Sequence, residues 1–465
     1  MPNNKPDLTK AQLFIDNTWI EDSIRVQRVF HQPKKYPRPV IEADRAHEGT
    51  GVVAYGSILF RENKFHAWYV TWDRTMPLKV CYAVSEDGIH FTKPDLGIYE
   101  AQGSKKNNIC LHVTETGDEP GYIDNISVIE DPHDSKWPLK AIFYQGVPGK
   151  KELCGLVACR SQDGIYWDLE PGLVLPGYGD RTNAVATRIN GKFVVLGRAP
   201  GNPYQCRCVW RTDSSDLVKW SKPELILKPG PEDDPHFQIY SATCFRYESI
   251  YLGFIERMHF QPDVLDSELI CSHDSRRWQR PCRGKVFIPL GLPDTIDCAW
   301  ASMPSSGPIL YKNNLWFYYS GRPAAHHAPH PLACGAIGLG ILRPDGFASL
   351  CGAHNEGWVL TAPMKWPAMD LLVNAAPRLD LSAHPHFSHG SVLVEARDAA
   401  NKPLPGFGRS DCLPVSNTFH HAQARAPVSW KRNRSLRSLA GKTIRLAFFL
   451  RDAHLYSFCA GERPK

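Results

Sequence analysis

One short pattern recurs along the chain and narrows the folds open to it. Ser-x-Asp-(Gly)-x-x-aromatic appears as SEDGIHF (85–91), SQDGIYW (161–167), SSDLVKW (214–220) and SHDSRRW (272–278), with a degenerate fifth copy, RPDGFASL, from Arg343. An Asp-Gly step between two apolar runs is a hairpin signal, because glycine accepts the positive φ such turns need. Each copy is associated with a strand-like run ending in aromatics: KFHAWYV (64–70), LKAIFYQG (139–146), KFVVLGR (192–198), YLGFIER (251–257) and LWFYYSG (315–321). A further β-rich run precedes each of these: VVAYGSILF from Val52, IDNISVIED from Ile123, NAVATRI from Asn183, IYSATCF from Ile239 and ASMPSSGPILY from Ala301. The second runs start 53 to 75 residues apart, with no long helical period between them. Five copies of one ordered set of strands predict an all-β chain built as a five-bladed β-propeller. A sandwich accounts for many strands but not for the repetition.

From about Leu360 the pattern changes. Alternating runs GSVLVEARD (390–398) and TIRLAFFLRD (443–452) are separated by polar turns such as NKPLPG, and no further repeat follows. This predicts a C-terminal β-sandwich over 359–465, a propeller over 46–358, and an irregular N-terminal segment over 1–45. The 35 Gly and 38 Pro fit short strands and many turns. A net charge of +6 spread over 465 residues argues against a nucleic-acid or membrane-surface protein. No apolar run approaches the ~18 residues of a membrane span, and the N-terminus MPNNKPDLTKAQLF has no signal-peptide pattern. The 14 Cys are mostly isolated within strand-like runs, and no CxxC pair occurs. Cys206 and Cys208 stand two apart, on one face of a strand. Buried reduced thiols and a cytoplasmic location are therefore expected.

The propeller geometry tells where function would gather. The first strand of each blade lines the axis, and its N-terminal end opens on the same face as the loop joining strands two and three. At the first-strand entrances stand Glu48, Asp124, Asp180, Asp234 and Asp297. At the second loops stand Asp73 with Arg74, Gln145, Arg198, Glu256 with Arg257, and Arg322 with His326 and His327. Acids crowded around one axis raise each other's pKa values, and interleaved Arg side chains supply bidentate donors. Any single acid before a strand is commonly a turn or capping residue, and Asp87 and Asp131 belong to that structural group. As a set, the positions predict a functional funnel. Two converging carboxyls are what glycoside hydrolysis requires, one to protonate the leaving oxygen and one as nucleophile or base. A third carboxylate can hold the acid's pKa up. Trp72, Tyr122, Tyr178, Tyr240 and Trp300 lie near the same rim, placed either to stack on sugar rings or to pack in the core.

Other signals are weaker. HHAPH (His326, His327, His330) is Pro-interrupted and loop-like, so no cofactor or metal is expected, a structural ion near His326 and His327 being the minor alternative. His420 and His421 read as surface residues. GLGIL (338–342) lacks a following GK[ST] and reads as a strand, and no GxSxG elbow occurs.

Several stretches resemble a group of bacterial proteins similar to glycosyl hydrolase families 32 and 43. They are YAVSEDGIHFTKPDLGIYEAQGSKKNNI, PGYGDRTNAV, YLGFIERMH, LWFYYSGR, AIGLGILRPDGFASL and LRDAHLYSF, and the resemblance runs from about Leu13 to Phe458. It implies a five-bladed propeller with a trailing β-sandwich and a glycosidase activity. The Asn-Asp-Pro-Asn, Arg-Asp-Pro and Glu-Cys boxes of the invertase kind are absent. By blade position the resemblance puts Glu48 near the nucleophile or base, Asp124 near the acid and Asp180 near the third acid. In the fourth blade, Gln238 stands where an acid would precede Tyr240. The expectation is a hydrolase of a small glycan or furanoside with Asp124, Asp180 and Glu48 as catalytic residues. Asp73, Arg74, Arg198, Tyr240, Glu256, Arg257, Asp297, Trp300, Arg322 and His326 would bind a carbohydrate substrate. Two alternatives stand beside it: a glycoside phosphorylase using Arg198, Arg257, Arg322 and His326 for phosphate, and a propeller that binds sugar without turnover. The oligomeric state is left open.

Overall fold

A computed structural model describes residues 6–73, 75–113, 120–329, 332, 334–377, 390–415 and 425–463. The protein is nearly all β: among the described residues the only helices are single 3-10 turns. None is long and apolar enough to cross a membrane.

Residues 52–342 form five successive antiparallel groups. The first is Val52–Arg61, Lys64–Thr71, Val80–Ser85 and Ile109–Leu111, and the second is Tyr122–Glu130, Leu139–Gly146, Gly155–Ser161 and Trp167–Pro176. The third is Asn183–Ala184, Phe193–Gly197, Val209–Ser214 and Glu224–Leu227. The fourth comprises Phe237–Tyr247, Ile250–His259 and Val264–Ser272; the fifth comprises Trp300–Ser302, Ile309–Tyr311, Asn314–Arg322 and Ala336–Leu342. One parallel bridge, Leu265 to Trp300, joins the last two into a single sheet.

Strand alternation sends one set of side chains to each face, and here each face meets a neighbouring group. Trp68 and Tyr82 of the first group share a core with Ile126 and Phe143 of the second. Ile142 of the second packs with Phe193 of the third, and Leu196 of the third with Ile255 of the fourth. Phe254 of the fourth meets Phe317 of the fifth, and Tyr318 of the fifth returns to Phe65 of the first. The groups therefore close into a ring. Small polar side chains stitch its centre: Val128 N donates to Ser57 Oγ at 2.8 Å, Ala184 N to Ser127 Oγ at 2.9 Å, and Ala54 N to Ser320 Oγ at 2.7 Å. Gly56 makes the bulge that presents Ser57, since a Cβ there would sit 1.8 Å from the Trp68 carbonyl.

The repeated motif caps these sheets. Ser85, Ser161 and Ser214 accept backbone N–H groups three residues on at 2.8–2.9 Å, and Asp87, Asp163, Asp216 and Asp274 each accept two further N–H groups. Gly88 and Gly164 take φ of 75° and 79°, and Leu217 and Ser275 hold the same place at 66° and 60°. Asp87 is thus structural, as expected, and so is Asp131, clamped by Arg188 at 2.7 and 3.0 Å. The fifth copy departs from the pattern. Asp345 is fully buried and accepts from Tyr247, Asn374 and Ser457 beside Arg425.

The N-terminal segment, expected to be irregular, carries strands. Lys34–Lys35 pairs with Ala336–Leu342 and supplies the outer strand of the fifth group. Val26–Phe30 pairs with Ala348–Gly352, Ile20–Ile24 with Gly357–Thr361, and Gln12–Leu13 with Ala453–Gly461. The C-terminal strands Ser391–Asp398 and Thr443–Arg451 form as expected and pair with each other. Two sheets result, each completed by N-terminal strands, and they share one core around Phe14, Trp366, Trp430, Phe448 and Phe458. Each such large side chain contributes roughly 1.5–3 kcal/mol on burial. Ala348–Gly352 and Gly357–Thr361 both belong to these two sheets, next to the N-terminal strands that pair with them.

All 14 cysteines are unbridged, in keeping with the expected thiols, and Cys206 Sγ lies 3.7 Å from Cys208 Sγ. Two histidines make the fold acid-sensitive. Burial holds His31 and His112 down to about 4. Above about pH 6.5 both are neutral folded or unfolded; as pH falls towards 4 only the unfolded chain takes up the protons, so stability is lost across that window. Calorimetry at a series of pH values is expected to show the melting temperature of the His31→Gln/His112→Gln variant varying less between pH 6.5 and 4 than that of the parent protein.

Candidate functional site

Several of the strand ends named from the repeat converge on one cavity of about 680 Å³. Asp124 enters it from the start of the second group's inner strand, and Asp180 from the turn before Asn183. Asp73, Arg198 and His326 reach it from the loops after second strands, and Tyr240 from the fourth group's first strand.

Asp124 is the most perturbed of these groups. Burial and the neighbouring Asp180 carboxylate push its pKa up to about 7, against the lowering pull of Arg181 and Arg198. Asp180 is ion-paired with Arg198 Nη1 and accepts Arg181 N–H at 2.8 Å. Arg198 is held in turn: its Nη2 donates to the Tyr240 carbonyl at 3.1 Å and its guanidinium lies 4.5 Å from the Tyr240 ring. Burial raises the Tyr240 phenol to about 12, and its hydroxyl sits 3.1 Å from His326 Nε2. Trp72 and Tyr122 line the wall, and the buried indole N–H of Trp72 finds no partner among the described residues. Asp73 ties its loop to the segment before the first strand, accepting Thr50 N at 3.0 Å, Thr75 N at 2.7 Å and Thr75 Oγ1 at 2.5 Å.

Other expected residues lie elsewhere. Glu48 is fully buried and its carboxylate is saturated: Lys93 Nζ at 2.7 Å, Tyr69 hydroxyl at 2.6 Å, and the N–H groups of Asp44 and Arg45 at 3.0 and 3.1 Å. It ties the entry segment down and does not line the cavity. Glu256 is buried against Arg181, with contacts of 2.5 and 3.1 Å. Arg257 turns to Asp266 at 2.5 and 2.8 Å, and Asp297 takes Lys35 Nζ at 2.5 Å and Tyr319 hydroxyl at 2.8 Å. Trp300 and Arg322 are fully buried behind the wall, the guanidinium 4.2 Å from the Trp300 ring. Each of these is claimed by an oppositely charged or aromatic partner, from the neighbouring strand for Arg257 and from elsewhere in the chain for Glu48, Glu256 and Asp297, as a buried charge demands. Asp234 is exposed and caps His236 N at 2.7 Å. Tyr178 is packed between the second and third groups. Arg74, His330, His420 and His421 lie outside the described residues.

The structure adds residues that the repeat could not flag. Thr75, Met76, Pro77, Leu78 and Pro120 build one wall, and Arg207 another. Arg207 Nη1 donates to Gln238 Oε1 at 2.9 Å, so the residue standing where an acid was expected before Tyr240 accepts as a neutral amide. The only sequence signal for Arg207 was its place between Cys206 and Cys208.

No family model matches the chain, and no curated protein matches it, so the resemblance to families 32 and 43 gains no support from either comparison. Among solved structures it is similar to a β-1,2-mannobiose phosphorylase from Listeria innocua, at TM-score 0.48 and 12% identity, over 70% of this chain and 98% of that one. It is also similar to an α-L-arabinofuranosidase from Podospora anserina, at TM-score 0.46 and 11% identity over 68% and 98% of the two chains. A glycosyl hydrolase from Bacteroides ovatus gives TM-score 0.45 and 14% identity over 68% and 95%.

Proposed function

We propose that the five-group ring is a five-bladed propeller carrying a glycoside-cleaving site, with the two C-terminal sheets as a β-sandwich. The observation that carries the reading is the pairing of Asp124 with Asp180 in one cavity, where the first carboxyl keeps its proton to about pH 7 while the second is clamped by Arg198. A protonated acid beside an ion-paired carboxylate is the division of labour that glycosidic cleavage needs. Asp124 donates its proton to the leaving oxygen; Asp180 acts on the anomeric carbon directly or through water. Trp72 and Tyr122 offer ring surface to a sugar, and Arg207 a charged donor to its hydroxyls.

A second reading, phosphorolysis, draws on Arg198, Arg207 and His326 lining the same cavity. Arg257 and Arg322, its other expected residues, are engaged in the interior.

Purified protein is to be screened against aryl-glycosides and oligosaccharides, with and without inorganic phosphate. Turnover is expected, falling above about pH 7 as Asp124 loses its proton, and lost in Asp124→Asn and in Asp180→Asn. Strict dependence on phosphate selects the second reading. Turnover surviving in both variants, or tight calorimetric binding of an unchanged sugar, overturns the catalytic assignment.

A further inference from the structure

We propose that His326 and His327, backed by Asp263, form a binding site for a first-row divalent cation, zinc by preference, in the wall of the cavity. The inference does not depend on the chemistry proposed for Asp124 and Asp180, and it departs from the sequence-based expectation of no metal.

Geometry carries it. His326 Nδ1 and His327 Nε2 face each other at 3.3 Å. Zinc binds imidazole at about 2.0–2.1 Å in a tetrahedral shell, and one edge of that tetrahedron is about 3.3 Å long. The two rings therefore already stand at the spacing a tetrahedral ion imposes. Metal-ligating histidines also tend to fix their second nitrogen on an oxygen, which sets tautomer and orientation. Both do so here. His327 Nδ1 lies 3.0 Å from Asp263 Oδ1, while Asp263 Oδ2 accepts His327 N–H at 2.8 Å; His326 Nε2 lies 3.1 Å from the Tyr240 hydroxyl. The His326 ring is further held by stacking on Trp300, centroids 5.2 Å apart at 18°, and its backbone N–H donates to the Asp263 carbonyl at 3.1 Å. One ligand atom from each of Asp263, His326 and His327 lies within 4.8 Å of the others.

With both rings neutral and Asp263 accepting His327 Nδ1–H, His327 Nε2 is an acceptor, so in the metal-free state His326 Nδ1–H donates to it and the Tyr240 hydroxyl donates to His326 Nε2. On binding, the His326 proton moves to Nε2 and is donated to the Tyr240 oxygen, so no net proton is released and the Tyr240 hydrogen turns elsewhere. Water, or an oxygen of whatever occupies the cavity, completes the shell. Two imidazoles select zinc over calcium and magnesium, which favour all-oxygen shells. A second cluster, His47, Glu48 and Cys81, is comparably close but buried, with Glu48 saturated and His47 Nε2 held by Asn108 at 2.7 Å.

The test is calorimetric titration of the untagged, chelator-stripped protein with zinc chloride, repeated with cobalt chloride while following visible absorption. One equivalent of zinc is expected, with a tetrahedral cobalt spectrum. His327→Ala is expected to abolish binding, and Asp263→Asn to weaken it about 10–100-fold as an outer partner does. Circular dichroism melting without metal checks that each variant folds; if His327→Ala does not, His326→Gln replaces it. No binding by the parent protein, undiminished binding in the histidine variant, preference for calcium, or loss of binding only in Cys81→Ala overturns the assignment.

Discussion

Asp124→Asn is expected to make the protein more stable at neutral and alkaline pH while removing the turnover proposed for it. The carboxyl titrates near 7 in the folded chain and near 3.8 when unfolded. Below pH 3.8 both states hold the proton. Between 3.8 and 7 the unfolded chain gives it up and the folded chain does not, so stability is lost as pH rises through that window and stays lost above it. A difference of that size corresponds to on the order of 4 kcal/mol as an upper bound. Water in the cavity screens part of it, leaving a gain on the order of 1–3 kcal/mol for the uncharged isostere. Melting curves of parent and variant should nearly coincide at pH 4, separate steadily to pH 7 and run parallel beyond. A pH-independent difference would show that Asp124 is not the strained carboxyl. In the proposed reaction the same change removes the proton donor, a loss on the order of 10²–10⁴-fold in kcat.

The sequence made much of this legible because the repeat is a backbone device. Asp87, Asp163, Asp216 and Asp274 satisfy their own loops, so the hairpins could be read without knowing any long-range contact. Asp124 and Asp180, named by position in the repeat, line one cavity. Glu48, Glu256 and Asp297 occupy equivalent strand ends yet point away, because Lys93, Arg181 and Lys35 reach them from other parts of the chain. No local pattern encodes such partners. Two of the N-terminal strands were hidden for a different reason. Lys34–Lys35 and Gln12–Leu13 are two residues each, too short to show an alternation, and they form only because a sheet edge is waiting. The fifth group's first strand, expected as one run from Ala301, is broken into Trp300–Ser302 and Ile309–Tyr311, and the intervening turn brings Ser305 and Ser306 to the axis.

Glu256→Gln is expected to be among the most destabilising conservative changes in the chain, costing about 3–5 kcal/mol. Arg181 is 1% exposed and Glu256 is fully buried, so removing the negative partner strands a cation where water cannot reach it. The guanidinium also donates to the Met303 carbonyl at 2.8 Å and Asn183 Oδ1 at 3.1 Å, and lies 3.7 Å from the Tyr55 ring. It therefore bridges the third, fourth and fifth groups and cannot swing out to solvent without opening the ring. Replacing both partners, as in Arg181→Met/Glu256→Leu, should recover much of the loss, since well-packed apolar pairs often match a buried ion pair in stability. Denaturant titration of the two singles and the double gives the coupling directly. The same variant reports on the cavity, because Arg181 already pulls the Asp124 pKa downward. With Glu256 neutralised that pull is no longer offset, so the alkaline limb of the pH–rate profile should move to lower pH. An unshifted limb would mean that Arg181 supports the ring and has no say in the protonation of Asp124.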